Sequence, residues 1–216
     1  MDRYTEPDFR AAALITIDTQ RDTLDGQPLE IPGTSSILPK MSRLLSAFRA
    51  LQRPIVHVVR LYKPDGSNVD LCRRTAVETG QGVLAPGTPG SQLAPGLLPD
   101  DHLSLDSDAL LSGNVQTLSS DEVIIYKPRW GAFYQTCLED HLRRLRVTTV
   151  IFTGCNFPNC PRTSIMEASE RDFRIVLVRD AVSGLSEPDE VQMAKIGVSV
   201  LSTEELLARL GCVRSL

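Results

Sequence analysis

The 216-residue chain has no excess of basic residues: 23 Lys and Arg stand against 27 Asp and Glu, a formal net charge of −4. Nucleic-acid binding through phosphate neutralisation is therefore excluded as its main task, and an acidic or membrane surface is an equally poor partner. No run approaches the roughly 20 apolar residues needed to cross a bilayer. Met1 to Arg10 carries charges throughout and has no apolar core of a secretory signal, so a cytoplasmic protein is expected. Histidine is scarce, with only His57, His102 and His141, scattered and without a second cysteine pair, so no zinc framework is laid out. Five cysteines make an odd number without regular spacing, which suits reduced thiols better than disulfides. Cys155 and Cys160 do not have the CxxC spacing of a redox pair.

What is present is an alternation. At 42% hydrophobic residues the length fits one α/β domain over residues 1–216. Short β-branched runs predict strands at Ala12 to Ile17, Pro54 to Val59, Glu122 to Tyr126, Val147 to Thr153, Arg174 to Val178 and Val198 to Leu201. They are continuously apolar, as strands buried on both faces are. Helix-period segments fall between them at Ser35 to Leu51, Tyr134 to Arg144, Pro161 to Asp172, Pro188 to Ile196 and Thr203 to Leu210. The last opens with Ser202-Thr203-Glu204-Glu205, a capping-box pattern. Such alternation predicts a parallel six-stranded sheet with helices on both faces. Leu61 to Ser120 departs from it, holding most of the Gly and Pro, and reads as an excursion covering the active site or a neighbouring subunit.

In open α/β sheets ligands bind beyond the carboxyl ends of the strands, and three strand ends here carry reactive groups. The first strand ends at Asp18. Another delivers Lys127 just before Pro128. The run Val147 to Thr153 breaks at Gly154 and leads to Cys160, where Pro161 favours the first helical position and makes Cys160 the expected cap. A helix start favours negative charge and would lower the thiol pKa. Each residue alone has a plainer reading: a loop-capping aspartate, a solvated lysine, a small core thiol. Cys72, Cys137, Cys155 and Cys212 are read in that last way. At one sheet edge, however, the three form a set in which Asp18 accepts the thiol proton, Lys127 orients the carboxylate and Cys160 attacks a carbonyl.

Ile17-Asp18-Thr19-Gln20, then Lys127-Pro128-Arg129-Trp130-Gly131-Ala132-Phe133, then Thr153-Gly154 with Cys160 six residues after the glycine, resemble the three motifs of the isochorismatase-like cysteine hydrolases. The resemblance covers about Ala12 to Leu210. It implies a three-layer α/β/α fold, an Asp18–Lys127–Cys160 triad and a non-proline cis peptide between Cys155 and Asn156. It also implies an oxyanion hole made by the backbone N–H groups of Asn156 and Cys160. A small-molecule substrate, no cofactor and a homodimer or homotetramer are implied as well.

Departures narrow the expectation. The nicotinamidase branch carries a metal-binding Asp-x-His after the second strand, whereas Arg60-Leu61-Tyr62-Lys63-Pro64 stands there in this chain. Neither that activity nor a catalytic metal is expected. Isochorismatases proper lack the nucleophilic cysteine, because vinyl-ether hydrolysis needs no acyl-enzyme. Keeping Cys160 argues for metal-free cleavage of a C–N bond in a small amide or ureido compound. A vinyl-ether hydrolase and a non-catalytic binding protein on the same fold are the alternatives. For specificity, Trp130, Phe133 and Phe157 are candidates for an aromatic wall, and Arg60, Tyr62 and Arg129 for partners of a substrate carboxylate or polar tail.

Overall fold

Strand β1 (Ala12–Ile17) is buried at every residue, and it lies in the middle of the sheet. In the computed structural model, which describes residues 2–80 and 82–211, the sheet has the order β3-β4-β2-β1-β5-β6-β7. Its strands are β2 (Ile55–Val59), β3 (Gln116–Thr117), β4 (Glu122–Tyr126), β5 (Thr149–Gly154), β6 (Arg174–Val182) and β7 (Ser199–Leu201). All neighbours pair in parallel except β3 with β4. The sheet thus has one strand more than the six expected. β3 is two residues long and antiparallel at the edge, too short for a hydrophobic pattern to mark it. β6 also runs past the expected Val178, because Val182 pairs with Gly154 after a register shift.

Side chains alternating off β1 supply two cores. Ala13, Ile15 and Ile17 point to the face covered by α4 (Leu138–Arg144), α5 (Cys160–Ser169) and α6 (Glu187–Lys195). Ala12 and Leu14 point to the face covered by α1 (Thr34–Ala50) and α7 (Thr203–Arg209). Helix α1 contributes Ile37, Met41, Leu44, Leu45 and Phe48, a stripe at helical spacing. Its start is held by Asp25, whose carboxylate accepts from the N–H groups of Gly33 and Ser35. Helix α7 carries the capping box between Ser202 and Glu205. Two boundaries differ from expectation. Helix α4 begins at Leu138 rather than Tyr134, because Gln135 takes a left-handed φ of 52° and Thr136 Oγ1 donates back to Ala132 O. Helix α5 is capped by Asn159, whose carbonyl takes the Thr163 N–H, so Cys160 is the first helical residue and not the cap.

The 61–120 excursion is ordered by packing of its own. It contains α2 (Leu71–Glu78) and α3 (Ser107–Leu111) and contributes to two small clusters, one around Leu61, Leu93 and Leu110 and one around Tyr62, Val69 and Leu84. Asp22, just after β1, pins it: the carboxylate accepts from Leu84 N–H at 2.6 Å. A Cβ at Gly90 would sit 2.0 Å from that carboxylate, so only glycine fits there. No helix among the described residues is long and apolar enough to cross a membrane.

One buried polar chain ties α1 to the sheet. Thr16 Oγ1 and His57 Nδ1 are 2.8 Å apart, His57 Nε2 and Glu122 Oε1 are 2.8 Å apart, and Arg49 of α1 forms a two-point bridge to Glu122. Burial pushes the His57 pKa down despite Glu122, so the imidazole is neutral. Burial pushes Glu122 up, but Arg49 and His57 overcome it and hold the carboxyl at about 2. Both shifts make acid destabilising. The unfolded chain takes up a proton at histidine below about pH 6.5 and at glutamate below about pH 4.5, before the folded groups do. Stability should therefore fall in steps below pH 6.5 and again between pH 4.5 and 2. In Glu122→Gln the lower step should shrink while stability at pH 7 drops by about 3 kcal/mol. Urea midpoints from pH 7 to 3 measure both effects; parallel curves for the two proteins would contradict this assignment.

Candidate active site

The strand order reverses between β1 and β5, and loops leaving the carboxyl ends of such a pair diverge to leave a crevice. Asp18 leaves β1 there in a left-handed conformation, φ 47°, with its N–H bonded to Val58 O. Gly154 ends β5 directly beside Ile17 at φ 110°; a Cβ on it would lie 2.2 Å from the Ile17 carbonyl oxygen. Glycine is thus required where the two strand ends touch. The next peptide, Cys155–Asn156, is cis. Gln20 binds the rim together. Its amide donates to the carbonyls of Arg60 and Ser91 and its oxygen accepts from Arg60 N–H, joining the ends of β1 and β2 to the excursion.

Lys127 follows β4 and is fully buried. Its ammonium lies 2.7 Å from Asp18 Oδ2 and donates to Arg129 O at 3.1 Å. Asp18 Oδ1 is buried and has no hydrogen-bond partner among the described residues. Cys160, only 4% exposed, interacts through its thiol with both Asp18 and Lys127. Burial first, then the Asp18 charge, push this thiol up to about 12, while Lys127 pulls the other way. This overturns the expectation of a thiol acidified by a helix start: desolvation in the packed crevice outweighs the favourable field. Among the described residues the Asn156 and Cys160 N–H groups donate to no carbonyl, and both residues border the cavity.

That cavity is narrow, about 250 Å³ of empty space. Asp18, Cys155, Asn156 and Cys160 form its floor. Thr23, Leu29 and Ile31 wall one side, and Arg60, Arg73 and Leu84 complete it. Arg60 is buried, paired to Asp70 Oδ2 at 2.6 Å, and stacked over the Tyr62 ring at 5.0 Å. Tyr62 does not line the cavity; its hydroxyl accepts from Arg73 at 3.0 Å. Phe133 and Phe157 are core residues on the α4–α5–α6 face, and Phe133 packs on Phe173. Their apolar rings fill the space under α5, so neither forms part of the cavity wall. Arg129 and Trp130 line a separate groove with Gly131, Tyr134 and Glu167, and Arg129 is occupied by the carbonyls of Asn68 and Pro128.

The other cysteines are not all core thiols. Cys155 is buried and its Sγ–H donates to Asp18 O, but Cys137 is half-buried and Cys72 is exposed on the outer face of α2; Cys212 lies outside the described residues. Among the described residues no group of three or more His, Cys, Asp or Glu is placed to hold a metal ion, and the groups beside Asp18 are the cations Lys127, Arg60 and Arg73. This donor set does not fit a divalent metal.

The isochorismatase domain model matches residues 12–106 and 104–205 of this chain. Over 204 residues the chain is 26% identical to a protein of Arabidopsis thaliana named probable inactive nicotinamidase, covering 91% of this chain and 95% of that one. It is 28% identical over 171 residues to N-carbamoylsarcosine amidase of an Arthrobacter species, covering 79% of this chain and 58% of that enzyme. The crystal structure of an isochorismatase family protein from Desulfovibrio vulgaris matches with a TM-score of 0.79 at 30% identity, over 93% of this chain and 98% of that one.

Proposed function

Because the chain belongs to the isochorismatase family, we propose that it is a metal-independent cysteine hydrolase that cleaves a C–N bond of a small amide or ureido compound through a thioester on Cys160. One observation carries this reading: the Cys160 thiol, the free oxygen of Asp18 and the Lys127 ammonium meet at the floor of one cavity. Similarity to a carbamoyl amidase supports the class of bond.

The resting thiol keeps its proton. With a pKa of about 12, roughly one molecule in 10⁵ carries a thiolate at pH 7, so attack by a preformed thiolate would cost about 7 kcal/mol. Proton transfer is instead coupled to bond formation. The Cys160 proton passes to Asp18 as sulfur bonds to the carbonyl carbon, and the C=O electron pair moves to oxygen. The Asn156 and Cys160 N–H groups, free of other acceptors, receive that oxyanion. Collapse breaks the C–N bond, and Asp18 returns the proton to the departing nitrogen, leaving a thioester. Water then gives a proton to Asp18, attacks the thioester, and the C–S bond breaks with Asp18 reprotonating the thiol. Lys127 stays ammonium throughout, fixing one carboxylate oxygen so that the other faces the sulfur.

The test is an ammonia-release screen over a panel of small amides and ureides, with Cys160→Ala as blank. Release from at least one compound that depends on Cys160 is expected. Release equal in both proteins, surviving thiol alkylation, would point to a non-acyl hydrolase, and no release from any member would contradict the reading. A cytoplasmic setting is part of the proposal, consistent with four free thiols among the described residues.

A further inference from the structure

The charges around the cavity do not balance. Asp18 is matched by Lys127 at 2.7 Å, and Asp70 by Arg60 at 2.6 Å. Arg73, from helix α2 of the excursion, lines the same cavity yet forms no ion pair among the described residues. Its printed hydrogen bond goes to the Tyr62 hydroxyl, and Tyr62 is buried beneath the Arg60 guanidinium, so the Arg73 head is held by a rigid partner. One guanidinium of the three cations is therefore uncompensated and partly desolvated beside the nucleophile, and Arg73 feels the charges of both Cys160 and Asp18.

A desolvated cation in a substrate cavity is stabilised by an anion, and a guanidinium matches a carboxylate with two parallel hydrogen bonds. The rest of the wall is aliphatic, Leu29, Ile31 and Leu84, and the volume is small. Resting on the hydrolase reading above, we infer that the substrate is a short aliphatic carboxylic acid carrying the amide or ureido group. Its carboxylate is bound by Arg73 while its carbonyl carbon sits at Cys160. Arg73 is a binding residue and Tyr62 positions it. Arg60, already neutralised by Asp70, supports the wall.

The test needs no known substrate. Iodoacetate and iodoacetamide alkylate the same thiol and differ by one negative charge, so their rate ratio at Cys160 reads the anion affinity of the cavity. The ratio is measured by peptide mass mapping of the whole protein and normalised to glutathione. In the wild-type protein the normalised ratio should exceed unity by about tenfold, the scale of one charge-assisted pair. Arg73→Gln should bring it to unity or below, and Arg73→Lys should keep an intermediate value. Should Arg73→Gln fail to fold, Arg73→Met and Arg73→Lys carry the same comparison. An identical ratio in wild type and in the charge-removing variants overturns the inference, even if amides are turned over. A ratio that follows the Arg73 charge while no amide is hydrolysed would keep the anion site and discard the hydrolase. Within the amide panel, Arg73→Gln should raise KM for acid-bearing compounds at least tenfold and leave neutral ones within about twofold.

Discussion

Replacing Cys160 by alanine is expected to lower amide turnover at least 10⁴-fold while the protein stays folded. The size follows from the role: without the sulfur there is no acyl-enzyme, and only oxyanion donors and substrate binding remain to assist water. The fold should tolerate the change, since Cys160 is one small member of the α4–α5–α6 core and its loss removes little buried surface. Turnover assays and urea midpoints on the same preparation separate the two effects. A serine at 160 should be nearly as poor, because its hydroxyl is a weaker nucleophile than sulfur in the same place. Activity retained in both variants would remove the thioester from the mechanism.

Asp18→Asn is the second large effect. The amide keeps the shape of the carboxylate but cannot take the thiol proton, so kcat/KM should fall by about 10²–10⁴-fold, the usual worth of a positioned general base. It also leaves the fully buried Lys127 ammonium without its carboxylate, with only the Arg129 carbonyl at 3.1 Å, and stability should drop by about 3–5 kcal/mol. Lys127→Met combined with Asp18→Asn removes both charges and should recover part of that stability without recovering activity. The same geometry predicts the pH profile of the wild type. Because burial and Asp18 hold the Cys160 thiol near 12, kcat/KM should not rise through pH 8–9, the range in which ordinary thiols ionise. A rise with unit slope in that range would mean attack by a preformed thiolate.

Most of what the strands do was legible in the chain. Runs such as Ala12–Ile17 and Glu122–Tyr126 are buried on both faces, so their apolar composition marks them, and the polar residue that breaks each run lies at the sheet edge where ligands bind. Asp18 and Lys127 stood out for that reason, and Cys160 because Gly154 and Pro161 bracket it. Two things were hidden. The acidity of Cys160 depends on how much water reaches it and on the distance to Asp18, which only the packed crevice fixes. The arginine of the cavity also escaped: Arg60 follows a strand and could be named, whereas Arg73 sits on α2, a helix that reaches the cavity through contacts with no sequence period. The Asp22 carboxylate under Leu84 and Gly90 makes that approach possible, and nothing local to residue 73 announces it.

The covalent step on Cys160 is tested most directly by hydroxylamine partitioning. Two substrates from the panel that share an acyl or carbamoyl group and differ in the departing amine are turned over with hydroxylamine present. The ratio of hydroxamate (or N-hydroxyurea) to acid or amine product is then compared between them. A common thioester forgets its leaving group, so the account predicts the same ratio from both substrates at every hydroxylamine concentration, with no product of either kind from Cys160→Ala. Ratios that differ with the leaving amine, or hydroxylamine products formed equally well by Cys160→Ala, would contradict it.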